Sequence, residues 1–213
     1  MEDSIQILGE KLLHSITEND QSDKFLSWIH DPEFDSESIE SLAEAAPFVR
    51  SLVSLYKAGI SIREKFFLKK LENLLINLPD SSEEEREKMQ RRLESNQAER
   101  KRIGEFLIVL LERFNDVGKS EILASILSAY LFGNINLDTF MRMANAVDNC
   151  MVTDLCRLKD FEESRKHHPM ATSTMYSSGL LELKAILDMK FDGALDHFGI
   201  SAFGRHFLEI TKL

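Results

Sequence analysis

Two cysteines in 213 residues are too few to staple a fold. Cys150 and Cys156 stand six apart in one expected helix, so they face different sides. They read as two buried, reduced thiols of a cytoplasmic protein. Long apolar runs are missing too. The longest, Phe106 to Leu111, is far short of the roughly 20 residues that span a bilayer. A secretory signal opens on basic residues and continues into an apolar run of about 7–15. Here Met1-Glu2-Asp3-Ser4 is acidic, and Gly9, Glu10 and Lys11 interrupt the apolar residues after it. Positive charge is in deficit: 26 Lys+Arg against 36 Asp+Glu leave −10, which disfavours non-specific nucleic-acid binding through phosphate neutralisation.

The usual chemical signatures are absent as well. No HExxH, no Cys/His set at zinc spacing, no EF-hand loop and no G-x-S-x-G elbow occurs among the six histidines and scattered acids. Gly118-Lys119-Ser120 resembles the end of a P-loop, but position 113, where the first glycine belongs, is Arg113. The apolar run before it also extends at helical spacing to Ile103 and Phe114, so a turn between two helices is expected. No catalytic residue, metal ligand or cofactor is assigned, and an enzyme is not expected.

What is present is a chain that is 43% apolar, ordinary for a globular protein. Its charge is segregated. Residues 1–50 hold 12 acids and three bases, whereas residues 51–78 hold five bases and two acids. Residues 1–44 form an acidic helical N-terminal segment, residues 45–166 a helical core, and residues 167–213 a small C-terminal element. Ile5, Leu8, Leu12 and Ile16 recur at helical spacing. Phe48, Leu52, Leu55 and Tyr56 make one later stripe. Phe66, Phe67, Leu71, Leu74 and Leu75 make another, which Pro79 ends. Ser82-Glu83-Glu84-Glu85 reads as a capping box opening a polar strut whose apolar residues are Met89 and Leu93. Asn96-Gln97-Ala98-Glu99 reads as a second, opening an apolar helix through Phe114. A further helix runs from about Lys119 to Phe132, with Gly133 as its left-handed cap. Asn136 or Asp138 caps the next, which carries Phe140, Ala144, Val147, Met151, Leu155 and Leu158. These three helices are the expected central core.

After His167-His168-Pro169 the pattern changes. A short helix over Ala171 to Ser177 is followed by a strand from Leu181 to Phe191. Asp192-Gly193 makes a hairpin turn, Ala194 to Ser201 returns, and an amphipathic helix carries Phe203, Phe207, Leu208 and Ile210. Tyr176-Ser177-Ser178-Gly179-Leu180-Leu181 and then Phe198-Gly199-Ile200-Ser201-Ala202-Phe203-Gly204 resemble the end of a winged-helix domain. Winged helices bind DNA in many proteins and only proteins in many others. The helical body resembles helical proteins of bacteria and their prophages that have no assigned activity, on Lys65-Phe66-Phe67-Leu68-Lys69-Lys70-Leu71 and Gly133-Asn134-Ile135-Asn136-Leu137-Asp138-Thr139-Phe140.

The expected fold class is therefore mainly α: a helical bundle with a small C-terminal winged-helix-like α+β element. The expected function is that of a non-enzymatic cytoplasmic interaction or regulatory protein acting through protein–protein contacts. Candidate partner-binding residues are Lys57, Arg63, Lys65, Lys69 and Lys70 on the basic helix, and Arg91, Arg92, Arg100, Lys101 and Arg102 on the second basic patch. The first group equally suits an internal contact with the acidic residues 1–50. Two alternatives stand beside this reading. One is a winged-helix DNA-binding regulator, although residues 169–180 hold no Lys or Arg. The other is a membrane-active effector whose basic helix is masked by the acidic segment. A protein is the expected partner, and a second copy of the chain fits as well.

Overall fold

A computed structural model describes residues 2–17, 62–79, 82–162, 169–183 and 198–213. The expected acidic segment after Thr17, the stripe from Phe48 to Tyr56, Lys57 and the Asp192-Gly193 turn lie outside the described residues. So do the expected boundaries at 44/45 and 166/167. Within the described residues the protein is mainly helical with a small two-stranded antiparallel sheet. It divides into two compact units, Met1–Ala124 and Ser125–Leu213.

The first unit contains α1 (Glu2–Thr17), α2 (Ile62–Ile76), α3 (Glu83–Ser95), α4 (Gln97–Arg113) and the start of α5 (Gly118–Leu131). Helix α4 is its hub and packs against α1, α2 and α3. The reason is in its sequence. Ile103, Gly104, Leu107, Ile108, Leu110 and Leu111 are all buried. At 100° per residue they span an arc of about 160°, wider than the stripe that docks one neighbour. The closest packing is with α1. A Cβ added to Gly9 would land in the backbone of Gly104, and one added to Gly104 in the backbone of Gly9. Leu12 and Leu13 are fully buried on α1, while Leu8 and Ile16 are half-buried.

Both expected caps form, with one difference. Ser82 Oγ accepts from the Glu85 N–H (3.3 Å) and the Ser82 N–H donates to Glu85 Oε2 (2.8 Å). The Ser82 backbone bond, then its hydroxyl, hold the Glu85 carboxyl below the ordinary carboxylate value. At the second cap Asn96 Oδ1 accepts from the Glu99 N–H (3.1 Å). The Glu99 carboxylate takes its return bond from Asn96 Nδ2 (3.0 Å), because an amide carries its own donor where serine does not. Asn96 also ends α3, so one residue joins the two helices. The polar helix α3 is not a free strut: it buries Met89 and Leu93 and packs on α1 and α4.

The second unit contains the end of α5, α6 (Leu137–Asn149), α7 (Val152–Leu155), a 3-10 helix (Leu158–Glu162), α8 (Pro169–Ser177), β1 (Leu181–Leu183), β2 (Phe198–Ile200) and α9 (Ala202–Thr211). Helices α4 and α6, expected to share one core, thus belong to different units. Asn136, not Asp138, caps α6 through the Thr139 N–H (2.9 Å), which leaves Asp138 to pair with Arg142 (2.7 Å). Gly133 and Gly179, at φ 82° and 79°, end α5 and α8 in the left-handed region that residues with a Cβ avoid.

The helix expected to continue through Leu158 stops at Asn149. Cys150 and Met151 are extended (φ −94°, ψ 154°; φ −75°, ψ 146°). Met151, on the expected apolar stripe, is instead 65% exposed, while Leu155, Leu158 and Phe161 are buried from the two shorter helices. The break also moves the thiols. Neither forms a disulfide, but only Cys150 is buried and Cys156 is exposed.

In the C-terminal hairpin Leu181 pairs with Ile200, Glu182 with Gly199 and Leu183 with Phe198. Ser201 ties the sheet to both flanking helices. Its Oγ donates to the Gly179 carbonyl (2.6 Å) and accepts from the Gly204 N–H (2.9 Å), starting α9. Its own N–H donates to the Leu180 carbonyl (3.1 Å). A Cβ on Gly204 would strike that same Leu180 carbonyl.

These contacts make two stability predictions. Helix propensity alone favours Gly9→Ala and Gly104→Ala by about 1 kcal/mol each. Forcing a methyl into backbone costs more, so each variant should lose on the order of 2 kcal/mol in urea denaturation. Val109→Ala, at an exposed site on α4, should stay within about 0.5 kcal/mol. In the second unit, Ser201→Ala should cost about 1–2 kcal/mol, seen as faster amide exchange at Gly204 and along α9.

Candidate functional site

The structure distributes the candidate basic residues among different environments. Arg63 and Lys65 lie in the first turn of α2, and Lys69 is exposed on the same helix. Lys70 is not a surface residue. It is 2% exposed, and its Nζ donates to the carbonyls of Glu112 (3.1 Å) and Phe114 (2.9 Å), 5.0 Å from the Phe66 ring centroid. These carbonyls close α4, where the last turn lacks N–H donors and the helix dipole favours a cation. One turn along α2, Asn73 Nδ2 donates to the Val117 carbonyl (3.0 Å), so the same helix also holds the α4–α5 corner. Lys70 is therefore withdrawn from the partner-binding set: its charge is spent on backbone inside the unit.

The second basic patch separates similarly. Arg91 pairs with Glu87 (2.7 Å) and Lys88 with Glu84 (3.1 Å), all on the exposed face of α3. Pairs of this kind contribute about 0.3–0.5 kcal/mol and leave a solvated face. Arg92 is half-buried, and Lys101 and Arg102 are exposed on the first turns of α4. Arg100 differs from all of them. It is half-buried, and its Nε is buried with no hydrogen-bond partner. An unmet buried donor of this kind costs about 1–3 kcal/mol.

Arg100 lines a groove of about 290 Å³ formed by α1, α3 and α4. Glu10, Lys11 and His14 reach it from one stripe of α1, and Leu93 and Glu94 from α3. Glu94 accepts from Gln90 Nε2 (3.2 Å), which is on the same helix. Lys11 and His14 have contacts of their own. Sequence reading placed Arg100 in a basic cluster but gave no sign of the groove, because the contributing helices are remote in sequence.

A second feature was missed altogether. Helix α8 buries Ala171, Thr172 and Met175 and turns Met170, Ser173, Tyr176 and Ser177 outward, over an arc of about 120°. Met170 is 72% and Tyr176 45% exposed, and Leu183 on β1 is 58% exposed. The Tyr176 ring stands edge-on to Phe198 of β2 (5.2 Å between centroids, 67°). The sequence carried a signal: Met170, Ala171, Met175 and Tyr176 are more apolar residues than one buried stripe of so short a helix takes.

Among the described residues the P-loop and metal-site patterns find no matching geometry. Gly118-Lys119-Ser120 opens a helix, with Lys119 and Ser120 buried. Asp116 Oδ1 accepts from the Gly118 N–H (2.8 Å), so a carboxylate of the chain stands where a phosphate would bind. Among the described residues no three His, Cys, Asp or Glu side chains group to hold a metal ion. No helix among the described residues is long and apolar enough to cross a membrane.

Lys70→Met should strand the buried Phe114 carbonyl, release the part-buried Glu112 carbonyl and cost about 2 kcal/mol in urea denaturation. Lys69→Met next to it should change stability by less than about 0.5 kcal/mol. No protein-family model, curated protein or solved structure matches the chain.

Proposed function

We propose that this protein is a non-enzymatic interaction protein of the cytoplasm whose C-terminal element contacts a partner protein through α8 and β1. The observation that carries this reading is the outward face of α8, which combines exposed Met170 and Tyr176 with hydroxyls and no charge. Apolar side chains at a surface gain the free energy of burial only when another apolar surface covers them, and aromatic and methionine side chains are enriched where proteins meet. Nucleic acid requires cations at the same place, and residues 169–183 contain none. The partner surface is accordingly apolar and uncharged at its centre. The order helix, strand, strand, helix fits the winged-helix resemblance in its protein-binding form. Two thiols outside any disulfide fit a reducing compartment.

The test compares the wild-type chain with the double variant Met170→Glu/Tyr176→Glu as bait in lysate of its source. A partner retained by wild type and lost by at least tenfold from the variant supports the proposal. A partner held equally by both removes this face from the function. A gel shift at low salt that is abolished by the same double variant would instead favour the DNA-binding alternative.

A further inference from the structure

The outward face of α8 is built around a small residue. Met170 and Tyr176 each lie three positions from Ser173, about 4.5 Å from it along the axis and about 60° to either side. All three are exposed. The patch continues onto the hairpin. The Tyr176 ring touches Phe198, and Leu183 is the cross-strand partner of Phe198, so these two share one face of the sheet. Glu182, which pairs with Gly199, belongs to the opposite face. None of Met170, Ser173, Tyr176, Ser177, Leu183 and Phe198 carries a charge.

These properties suit one kind of contact. Across a twofold axis a patch meets its own copy. A charged side chain on the axis then meets a like charge, and each chain already carries −10. The α8 face avoids that repulsion. It also supplies what it requires: apolar side chains for apolar side chains, and at its centre a serine hydroxyl, which is donor and acceptor at once and so bonds a second serine. The exposed surface of the patch is on the order of 500 Å² per copy, so a pair withdraws about 1,000 Å² in all, the lower bound of a specific interface.

We infer, resting on the role proposed above for the α8 face, that the partner covering it is a second copy of this chain. The two form a twofold dimer whose axis passes between the Ser173 side chains. Met170 and Tyr176 of each copy flank that contact, and Leu183 and Phe198 extend it along the hairpin.

The experiment is sedimentation equilibrium of the purified full chain from about 1 to about 300 μM, a range that brackets interfaces of this size. Wild type should pass from the mass of one chain to that of two and go no further. Met170→Glu/Tyr176→Glu and Met170→Lys/Tyr176→Lys should each dimerise at least tenfold more weakly. An equimolar mixture of the two should recover the dimer, because opposite charges then meet across the axis. With Cys156→Ser removing the exposed native thiol, Ser173→Cys should join to itself through a short bismaleimide, and Lys101→Cys on α4 should not. A wild-type chain that stays monomeric throughout overturns the inference without reference to any variant. So does a dimer left intact by the Glu pair in a folded chain, a mixture that stays monomeric, or linkage at position 101 equal to that at 173. A monomeric wild type that retains a different protein from lysate, lost with Met170→Glu/Tyr176→Glu, overturns the second copy alone and leaves the face to that protein.

Discussion

The contact of Gly9 with Gly104 is the constraint on which the first unit depends. Neither residue leaves room for a Cβ on the other, so α1 and α4 meet backbone to backbone. That approach brings Leu12 and Leu13 of α1, and Leu107 and Leu111 of α4, to complete burial. Each such side chain contributes about 1.5–3 kcal/mol when withdrawn from water. The intrinsic helical cost of two mid-helix glycines, about 1 kcal/mol each, is offset several times over. The same crossing positions the groove. Arg100 lies one turn before Gly104 on α4, while Lys11 and His14 come after Gly9 on α1, so the residues beside the glycines converge where the helices part.

The second unit relies on a comparable close approach made with different chemistry. Ser201 links the end of α8 to the start of α9 through bonds to Gly179 and Gly204, and Gly204 allows α9 to sit against the Leu180 carbonyl. These are the residues on which the winged-helix resemblance rests. Their recurrence in that pattern has a local physical meaning here: a glycine to end one helix, a serine to start the next and a glycine to let them touch. None of these roles requires a nucleic acid. These bonds account for how β1, β2 and α9 are held together and do not by themselves point to a partner.

Features set by neighbours in sequence were legible from the residues alone. The Ser82 and Asn96 caps, the left-handed Gly133 and the apolar helix from Gln97 to Arg113 all depend on contacts within a few positions. Features set by distant residues were not. Lys70 reads as a surface cation because its acceptors, the Glu112 and Phe114 carbonyls, are backbone groups that every sequence has. Periodicity also carried α6 past its real end. Met151, Leu155 and Leu158 continue the spacing of Phe140, Ala144 and Val147, so nothing local marks the extended backbone at Cys150. The groove is the extreme case, since it exists only once three helices are assembled.

Charge shows most clearly how far composition carries. The net −10 and its concentration in residues 1–50 are facts of sequence, and so is the basic excess of residues 51–78. The fate of a single cation is not. Arg91 lies exposed against Glu87 and changes little. Lys70 lies inside against two carbonyls and holds a helix end to its neighbour. Arg100 lies between these cases, with enough burial to lose water from Nε and no acceptor in return. Desolvation is what separates them. An exposed pair exchanges one hydrated state for another, and a fully satisfied buried cation is structure. A partly buried cation with an unmet donor carries a desolvation cost that no contact returns. Among the described residues Arg100 is the cation in that state.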